Sequence, residues 1–264
     1  MLLGLISGTG TERWPGLDDE QPWTAETAYG PVDLVSGRVG EVDVVHLARH
    51  GPSHRRLSNH VEHKANLSAL ISAGADAVIG CTACGALDAS LTPGSLVVFD
   101  DLYFPSNRLP DGSLCTWHDE AGAAGRGHWI FDRPFSATLR RAMVRAGQGL
   151  DTPLVDGGTY GHVDGPRFNA RAEIAALAHL GVTAVSQTAG PEVVLAGEAG
   201  LPYALVGFVT DYANGVTDEP EALEALLARV AQSGDRFASL VAAALPQLSA
   251  DDVAPAGTVH QVDP

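Results

Sequence analysis

The chain has 264 residues, 45% of them hydrophobic, and carries 32 Asp and Glu against 16 Lys and Arg, a formal charge of −16. That is enough apolar material for a sizeable core, in one large α/β domain or two small ones, and the acidic balance argues against a nucleic-acid or anionic-membrane partner. Three cysteines, an odd number, disfavour a disulfide framework and suit a reducing, cytoplasmic setting.

Met1–Ile6 is apolar but short and has no basic leader, so it does not read as a signal peptide. No run approaches the ~20 apolar residues of a membrane span. Leu2–Ile6 reads as a buried strand ending in Ser7-Gly8-Thr9-Gly10. A dinucleotide fingerprint would place its third glycine at position 13, which is Arg13, and no Gly-Lys-Ser/Thr phosphate loop occurs. What remains is a tight loop whose N–H groups and Thr9 hydroxyl suit an anion, or a plain turn.

Residues 11–30 read as an irregular excursion, and Pro31–Val35 and Asp43–Ala48 as a hairpin or as adjacent strands, with Gly37 and Gly40 marking the turn. The second strand runs into Arg49-His50-Gly51-Pro52, a cationic pair that fits either an anion contact or a solvated surface. Ser58–Ser72 has helical spacing. His54, His60 and His63 near its start lack the companion carboxylate of a zinc-protease motif, so polar or structural roles rank ahead of metal.

Asp76–Gly80 is β-rich and is followed by Cys81-Thr-Ala-Cys84, a C-x-x-C pair short of the further ligands that zinc needs. Small residues there, after a central strand, suit close approach to a ligand. Leu91–Gly94 is a turn and Ser95–Phe99 a strand. Asp101–Gly127 reads as a long functional or mobile loop. Ser136–Ala146 is a helix with Arg140, Arg141 and Arg145 outward, and Leu154–Val163 a strand containing Gly157-Gly158.

After a turn at Asp164–Phe168 come a helix at Arg171–His179, a strand at Thr183–Gln187 and a helix at Pro191–Glu198 with Pro in its first turn. A strand at Tyr203–Thr210 precedes one long amphipathic helix over Glu219–Leu245. The sum is one α/β domain over residues 1–248, with a loose polar tail over 249–264. Polar residues recur just past strands at Thr9, Arg49, Thr82, Thr188 and Asp211, where open α/β sheets bind ligands.

These motifs, in this order, resemble the trimeric purine nucleoside phosphorylases, in particular their methylthioadenosine and methylthioinosine phosphorylase branch. The matching stretches are the Ser-Gly-Thr-Gly loop, Ala48–Gly51, Ala65-Asn66, Thr82–Gly85, Gly165–Phe168, Pro191–Ala196 and Val209–Tyr212, covering about residues 1–245. The resemblance implies a single-domain α/β fold, a three-layer mixed β-sheet flanked by helices, in a homotrimer. It also implies inorganic phosphate as co-substrate, with no metal and no other cofactor.

Carried over by position, phosphate falls to Thr9, Arg49, His50, Thr82, the Ala83 backbone and Thr188, residue types that offer hydroxyl, N–H and planar guanidinium donors to its oxygens. Phe168 is placed against the purine, Ser186 and Gln187 beside the sugar, and Asp211 and Ala213 at the base. His128 matches a position near the 5′ substituent, one that a neighbouring subunit can supply. Asp211 and His50 are the residues assigned to the chemistry. Asp211 stabilises the departing purine at N7, and phosphate attacks the oxocarbenium-like C1′.

Departures from the family pattern bear on specificity. The adenine-specific branch carries a second aspartate where this chain has Ala213, which weakens recognition of a 6-amino group. Asp211, where 6-oxopurine enzymes usually carry Asn, argues the other way. Gln187 replaces a methionine against the ribose, which predicts a hydrogen bond to a sugar hydroxyl or to an unusual substituent. Asp164 replaces a glutamate.

The leading expectation is phosphorolysis of a purine 5′-deoxy-5′-(methylthio)nucleoside. Phosphorolysis of 6-oxopurine nucleosides is the alternative within enzymes, and a catalytically silent nucleoside-binding homologue the alternative outside them.

Overall fold

The computed structural model describes residues 1–123, 125–219, 221–251 and 253–262. In chain order the first half contains β1 (Leu2–Ser7), β2 (Asp18–Thr27), β3 (Gly30–Val39), β4 (Val42–Ala48), α1 (His63–Ser72), β5 (Ala77–Ala86), β6 (Leu96–Val98), β7 (Asp101–Tyr103) and β8 (Gly127–Ile130). The second half contains α2 (Ala137–Gly147), β9 (Leu154–Asp156), β10 (Thr159–His162), α3 (Arg171–His179), β11 (Val182–Ser186), α4 (Ala189–Glu198), β12 (Tyr203–Tyr212), α5 (Leu223–Ala244) and β13 (Thr258–Gln261).

Alternation along the central strands builds three layers. On β5, Ala77, Ile79 and Cys81 face one core with Leu139, Met143, Phe237 and Leu240 of α2 and α5. Val78, Cys84 and Ala86 face the other, with Leu67 and Leu70 of α1 and Val193 and Leu195 of α4. Because side chains alternate along a strand, Cys81 and Cys84, three apart, point to opposite faces. Their C-x-x-C spacing therefore brings no pair of thiols together, and both are free and buried, as is Cys115.

The 11-stranded sheet runs β2-β3-β4-β1-β5-β11-β10-β7, with β12 on the other edge of β5, then β6 and β9. β1, β4, β5 and β12 are parallel, whereas β11 meets β5 antiparallel. The pairing of β5 with β1 ends at Gly80, and its pairing with β11 begins at Gly85. On that edge Cys81–Cys84 lies between two strands that have parted. The split opens the sheet at the C-terminal ends of its parallel strands.

Several expectations change. Residues 18–27 form a strand, paired with β3 from Asp18↔Arg38 to Thr27↔Gly30; as an edge strand exposed along most of its length, it lacks the apolar alternation that identifies a half-buried strand. Gly37 lies inside β3 rather than at a turn, and a Cβ there would sit 2.6 Å from the Asp18 carbonyl. The small residues 81–86 lie within β5, not after it. Gly157 and Gly158 both have positive φ and divide the expected single strand into β9 and β10.

Arg140 turns inward: Nε donates to the Phe99 carbonyl at 2.8 Å and Nη2 to Asp156 at 2.6 Å. The long loop is anchored, with Trp117 Nε1 donating to the Leu195 carbonyl at 2.8 Å. The C-terminal segment is tied down as well. β13 pairs antiparallel with β8, and Trp129 Nε1 donates to the Ala256 carbonyl at 2.8 Å. Polar composition marks exposure of side chains, not freedom of a backbone that has found a ladder partner. No helix among the described residues is long and apolar enough to cross a membrane.

Candidate active site

A cavity of about 360 Å³ occupies the split in the sheet. Its lining includes Thr9, Arg49, His50, Thr82, Ala83, Phe168, Ser186, Gln187, Thr188, Asp211 and Ala213. These are residues of the segments just past β1, β4, β10, β11 and β12, of β5 itself, and, for Ser186 and Asp211, of the ends of β11 and β12 within the strands rather than after them. Every residue expected at the site is thus brought together except His128. That side chain lies exposed on β8, opposite His260 of β13 and outside the cavity lining.

One end of the cavity is a cluster of donors. Arg49 is held by its backbone N–H to the Ser7 carbonyl at 2.9 Å, which aligns the ends of β4 and β1. Its guanidinium bonds Glu192 of α4 through Nε and through Nη2 at 2.8 Å, and donates from Nη1 to the Cys81 carbonyl at 2.9 Å. Those partners take three of its five N–H groups and leave two that are not used by them. Gly8 lies close by: a Cβ there would meet Arg49 Nη1 at 2.8 Å, so the first loop is in near contact with the guanidinium.

Glu192 also accepts from Tyr203 at 2.8 Å, and neither Arg49 nor Glu192 exposes its side chain. Such a pair is electrically neutral as a unit. His50 adds no charge: burial and the neighbouring Arg49 and His54 lower its pKa to about 4. Its Nδ1 lies 2.8 Å from the Arg56 carbonyl, which can only accept, so the neutral ring carries its proton there and leaves Nε2 as an acceptor. The hydroxyls complete this end, with Thr82 and Ser186 joined at 2.9 Å across the β5–β11 split. The first amides of α4 are already used, Ala189 by Tyr160 at 3.0 Å and Gly190 by His162 at 3.3 Å.

The other end is a carboxyl set among apolar groups. Burial raises the pKa of Asp211, partly opposed by the Thr210 hydroxyl, which donates to it at 2.6 Å; Glu221 raises it further and Arg229 lowers it. Ala213 is buried with Leu87, Ile174 and Val182. Phe168 is 65% exposed at the cavity mouth, where it has a face free to stack.

Gln187 departs from the expected role. Its Oε1 accepts from Ser58 at 2.9 Å and its Nε2 donates to the Arg167 carbonyl at 2.9 Å, so both ends of the amide are engaged within the protein.

Residues not anticipated from sequence also line the site. Leu226, Leu227 and Val230 come from the first turns of α5, and Leu57 and Ser58 from the segment before α1. The i, i+3, i+4, i+7 spacing of Leu223, Leu226, Leu227 and Val230 was the available signal, since it continues an apolar stripe toward the helix start. Glu192 was marked by being the lone carboxylate in the otherwise apolar first half of α4.

Comparison with known proteins agrees with this arrangement. A family model described as "Phosphorylase superfamily" matches residues 3–246. The S-methyl-5′-thioadenosine phosphorylase of Mycolicibacterium smegmatis is 39% identical over 82% of this chain and 79% of its own. The 6-oxopurine nucleoside phosphorylase of Pyrococcus furiosus is 30% identical over 92% of each. The methylthioadenosine phosphorylase of Schistosoma mansoni in complex with adenine superposes with a TM-score of 0.83 at 26% identity, covering 94% of this chain and 91% of that one. With the family model spanning residues 3–246 and relatives of 30% identity or more covering most of its length, the chain belongs to the phosphorylase superfamily.

Proposed function

We propose that the protein catalyses phosphorolysis of a purine 5′-deoxy-5′-(methylthio)nucleoside, giving the free base and the sugar 1-phosphate. The observation that carries this reading is the polarity of one cavity: Thr9, Arg49, His50, Thr82 and Thr188 at one end, and the half-buried Asp211 carboxyl at the other. Inorganic phosphate is the co-substrate at the first end. The apolar Leu226, Leu227 and Val230 favour an apolar 5′ substituent over a free hydroxyl.

The chemistry follows from the two ends. Phosphate meets the two free N–H groups of Arg49, the Ala83 backbone and the threonine hydroxyls, while an anion that retains a proton directs it to His50 Nε2. Its charge is thus met by oriented donors instead of a net positive pocket. As the glycosidic bond lengthens, positive charge grows on the sugar beside this anion, and negative charge grows on the purine. Asp211, whose pKa burial raises, stabilises the base by sharing a proton with N7. Phosphate then closes on C1′. The step as written uses no metal, no cofactor and no covalent enzyme intermediate.

Ala213 favours a second reading, phosphorolysis of 6-oxopurine nucleosides, because the base end offers no second carboxylate to accept from a 6-amino group. His128 lies outside its own cavity on an exposed strand, next to the exposed Ile130 and Phe131. This supports a homotrimer in which one copy completes another's 5′ pocket, and sedimentation equilibrium tests it. The function itself is tested by incubating the protein with methylthioadenosine, methylthioinosine, adenosine and inosine, with and without phosphate, and measuring free base. Release without phosphate indicates a nucleosidase, and no release from any of the four indicates a silent binding protein.

A further inference from the structure

Two chain segments form one wall and the rim of the cavity. The first, residues 50–58, supplies His50, His54, Leu57 and Ser58; the second, residues 163–169, supplies Pro166 and Phe168 among others. The first is held in a costly shape, since Ser53 and His54 are consecutive non-glycine residues with φ of 53° and 52°. Such a backbone persists only where its surroundings enforce it. One constraint is the stacking of His54 on His50, with ring centroids 4.1 Å apart. Another is Ser58, whose hydroxyl donates to Gln187 across 129 positions of sequence.

Gln187 grips the second segment with its other end, through the Arg167 carbonyl. The fit is close, because a Cβ on Gly165 would lie 2.0 Å from Gln187 Oε1 and 2.2 Å from Ser58 Oγ. The residue sits between β11 and α4, next to Thr188, on rigid elements.

We propose that Gln187 is a latch: a positioning residue that ties the 50–58 and 163–169 segments together over the sugar-binding part of the cavity, so that nucleoside entry and release require the Ser58–Gln187–Arg167 bridge to part. The amide serves the protein, and the methylene stem is what Gln187 offers the sugar, an apolar contact from a polar residue. The location of the sugar rests on the phosphorolysis reading. The latch itself rests on the two hydrogen bonds and the packed glycine.

The test uses the full chain as wild type, Gln187→Met, Ser58→Ala and the double variant. Without nucleoside, hydrogen exchange of backbone amides in both segments rises about tenfold in Gln187→Met, and Ser58→Ala loosens the 50–58 segment. In steady state KM for nucleoside rises about tenfold with kcat within about threefold, by the same factor for a purine ribonucleoside and its 2′-deoxy counterpart. The double variant is no worse than Gln187→Met within about twofold, because both changes cut one bridge.

Unchanged exchange in both segments of a folded Gln187→Met protein overturns the proposal. So does a loss confined to the ribonucleoside with Ser58→Ala behaving as wild type, which identifies a sugar-hydroxyl contact. If Gln187→Met does not fold, Gln187→Glu decides: it keeps an acceptor for Ser58 but loses the donor to Arg167, so faster exchange confined to 163–169 supports the latch and no change refutes it. A wild type that releases no base from any nucleoside ends the phosphorolysis reading, while the exchange measurements still decide the latch.

Discussion

Arg49 and Glu192, 143 positions apart, form a buried ion pair with Nη2 2.8 Å from Oε2 and no side-chain exposure on either partner. The pair fixes the end of β4 to the first turn of α4 and fixes the orientation of the guanidinium. Truncating one partner strands a buried charge, at a cost of about 3–5 kcal/mol. Glu192→Ala is therefore expected to lower Tm by on the order of 10 °C and to raise KM for phosphate. Thermal unfolding and phosphate titration check both effects, and an unchanged Tm would show that the pair contributes nothing net.

Asp211 is the group whose environment is tuned for protonation. Asp211→Ala removes the carboxyl proposed to stabilise the leaving base and leaves Thr9, Arg49, His50, Thr82 and Thr188 in place. A fall in kcat of about 10²–10⁴-fold is expected, with KM for phosphate within a few fold. Steady-state kinetics with each substrate varied in turn distinguishes this from general damage to the site.

Gly8 makes room for Arg49 Nη1, and because Glu192 and Cys81 hold the guanidinium in place, an added methyl at 2.8 Å must displace one of them or the loop itself. Gly8→Ala is expected to weaken phosphate binding by about tenfold, roughly 1.4 kcal/mol. Isothermal titration with phosphate in the absence of nucleoside reads it directly.

Ala213→Asp supplies the acceptor that the base end lacks. The expected result is a rise in the ratio of kcat/KM for methylthioadenosine over methylthioinosine, by about tenfold or more, as polar complementarity at a buried edge dominates discrimination. Because Ala213 is buried among Leu87, Ile174 and Val182, the variant also loses stability. A ratio that stays constant would place the 6-position of the purine elsewhere.

His46, His50, His63 and His162 are lowered in pKa to about 4, 4, 3 and 3, with burial as the main cause. In the unfolded chain each titrates near 6.5. Above that value the rings are neutral in both states and the stability is fully present. As pH falls from there toward the folded values, the unfolded chain binds protons that the native state refuses, and stability is lost. Asp211, raised by burial, has the opposite sign: its contribution is fully present below the ordinary carboxylate value and is lost as pH rises through the folded one. With four such histidines against this one carboxyl, the urea midpoint at about pH 5 is expected below that at about pH 7.5.

Much of this protein was legible in its residues. Buried strands such as β1, β11 and β12 are marked by apolar runs, and α2, α3 and most of α5 by helical spacing, because local burial patterns follow the period of the element. The edge strand β2 and the terminal strand β13 were not legible: most of their residues are exposed and leave no apolar alternation, and the ladder partner of β13, β8, lies far back along the chain. Thr9, Arg49, His50 and Thr188 were visible as polar residues following strands, whereas Thr82 lies within β5. What those residues do to one another was not.

The sequence by itself determined which chemical groups stand at the strand ends: threonines, an arginine, a histidine and an aspartate, types that suit an anion and a leaving base. Only the tertiary structure decided their state. It parts β1 from β11 along β5 to open the cavity, neutralises Arg49 with Glu192, leaves His50 an acceptor, keeps Asp211 in surroundings that favour its proton, and engages both ends of Gln187 within the protein. Charge and hydrogen-bonding capacity belong to a residue, but how much of either remains for a substrate depends on burial and on partners brought from far along the chain.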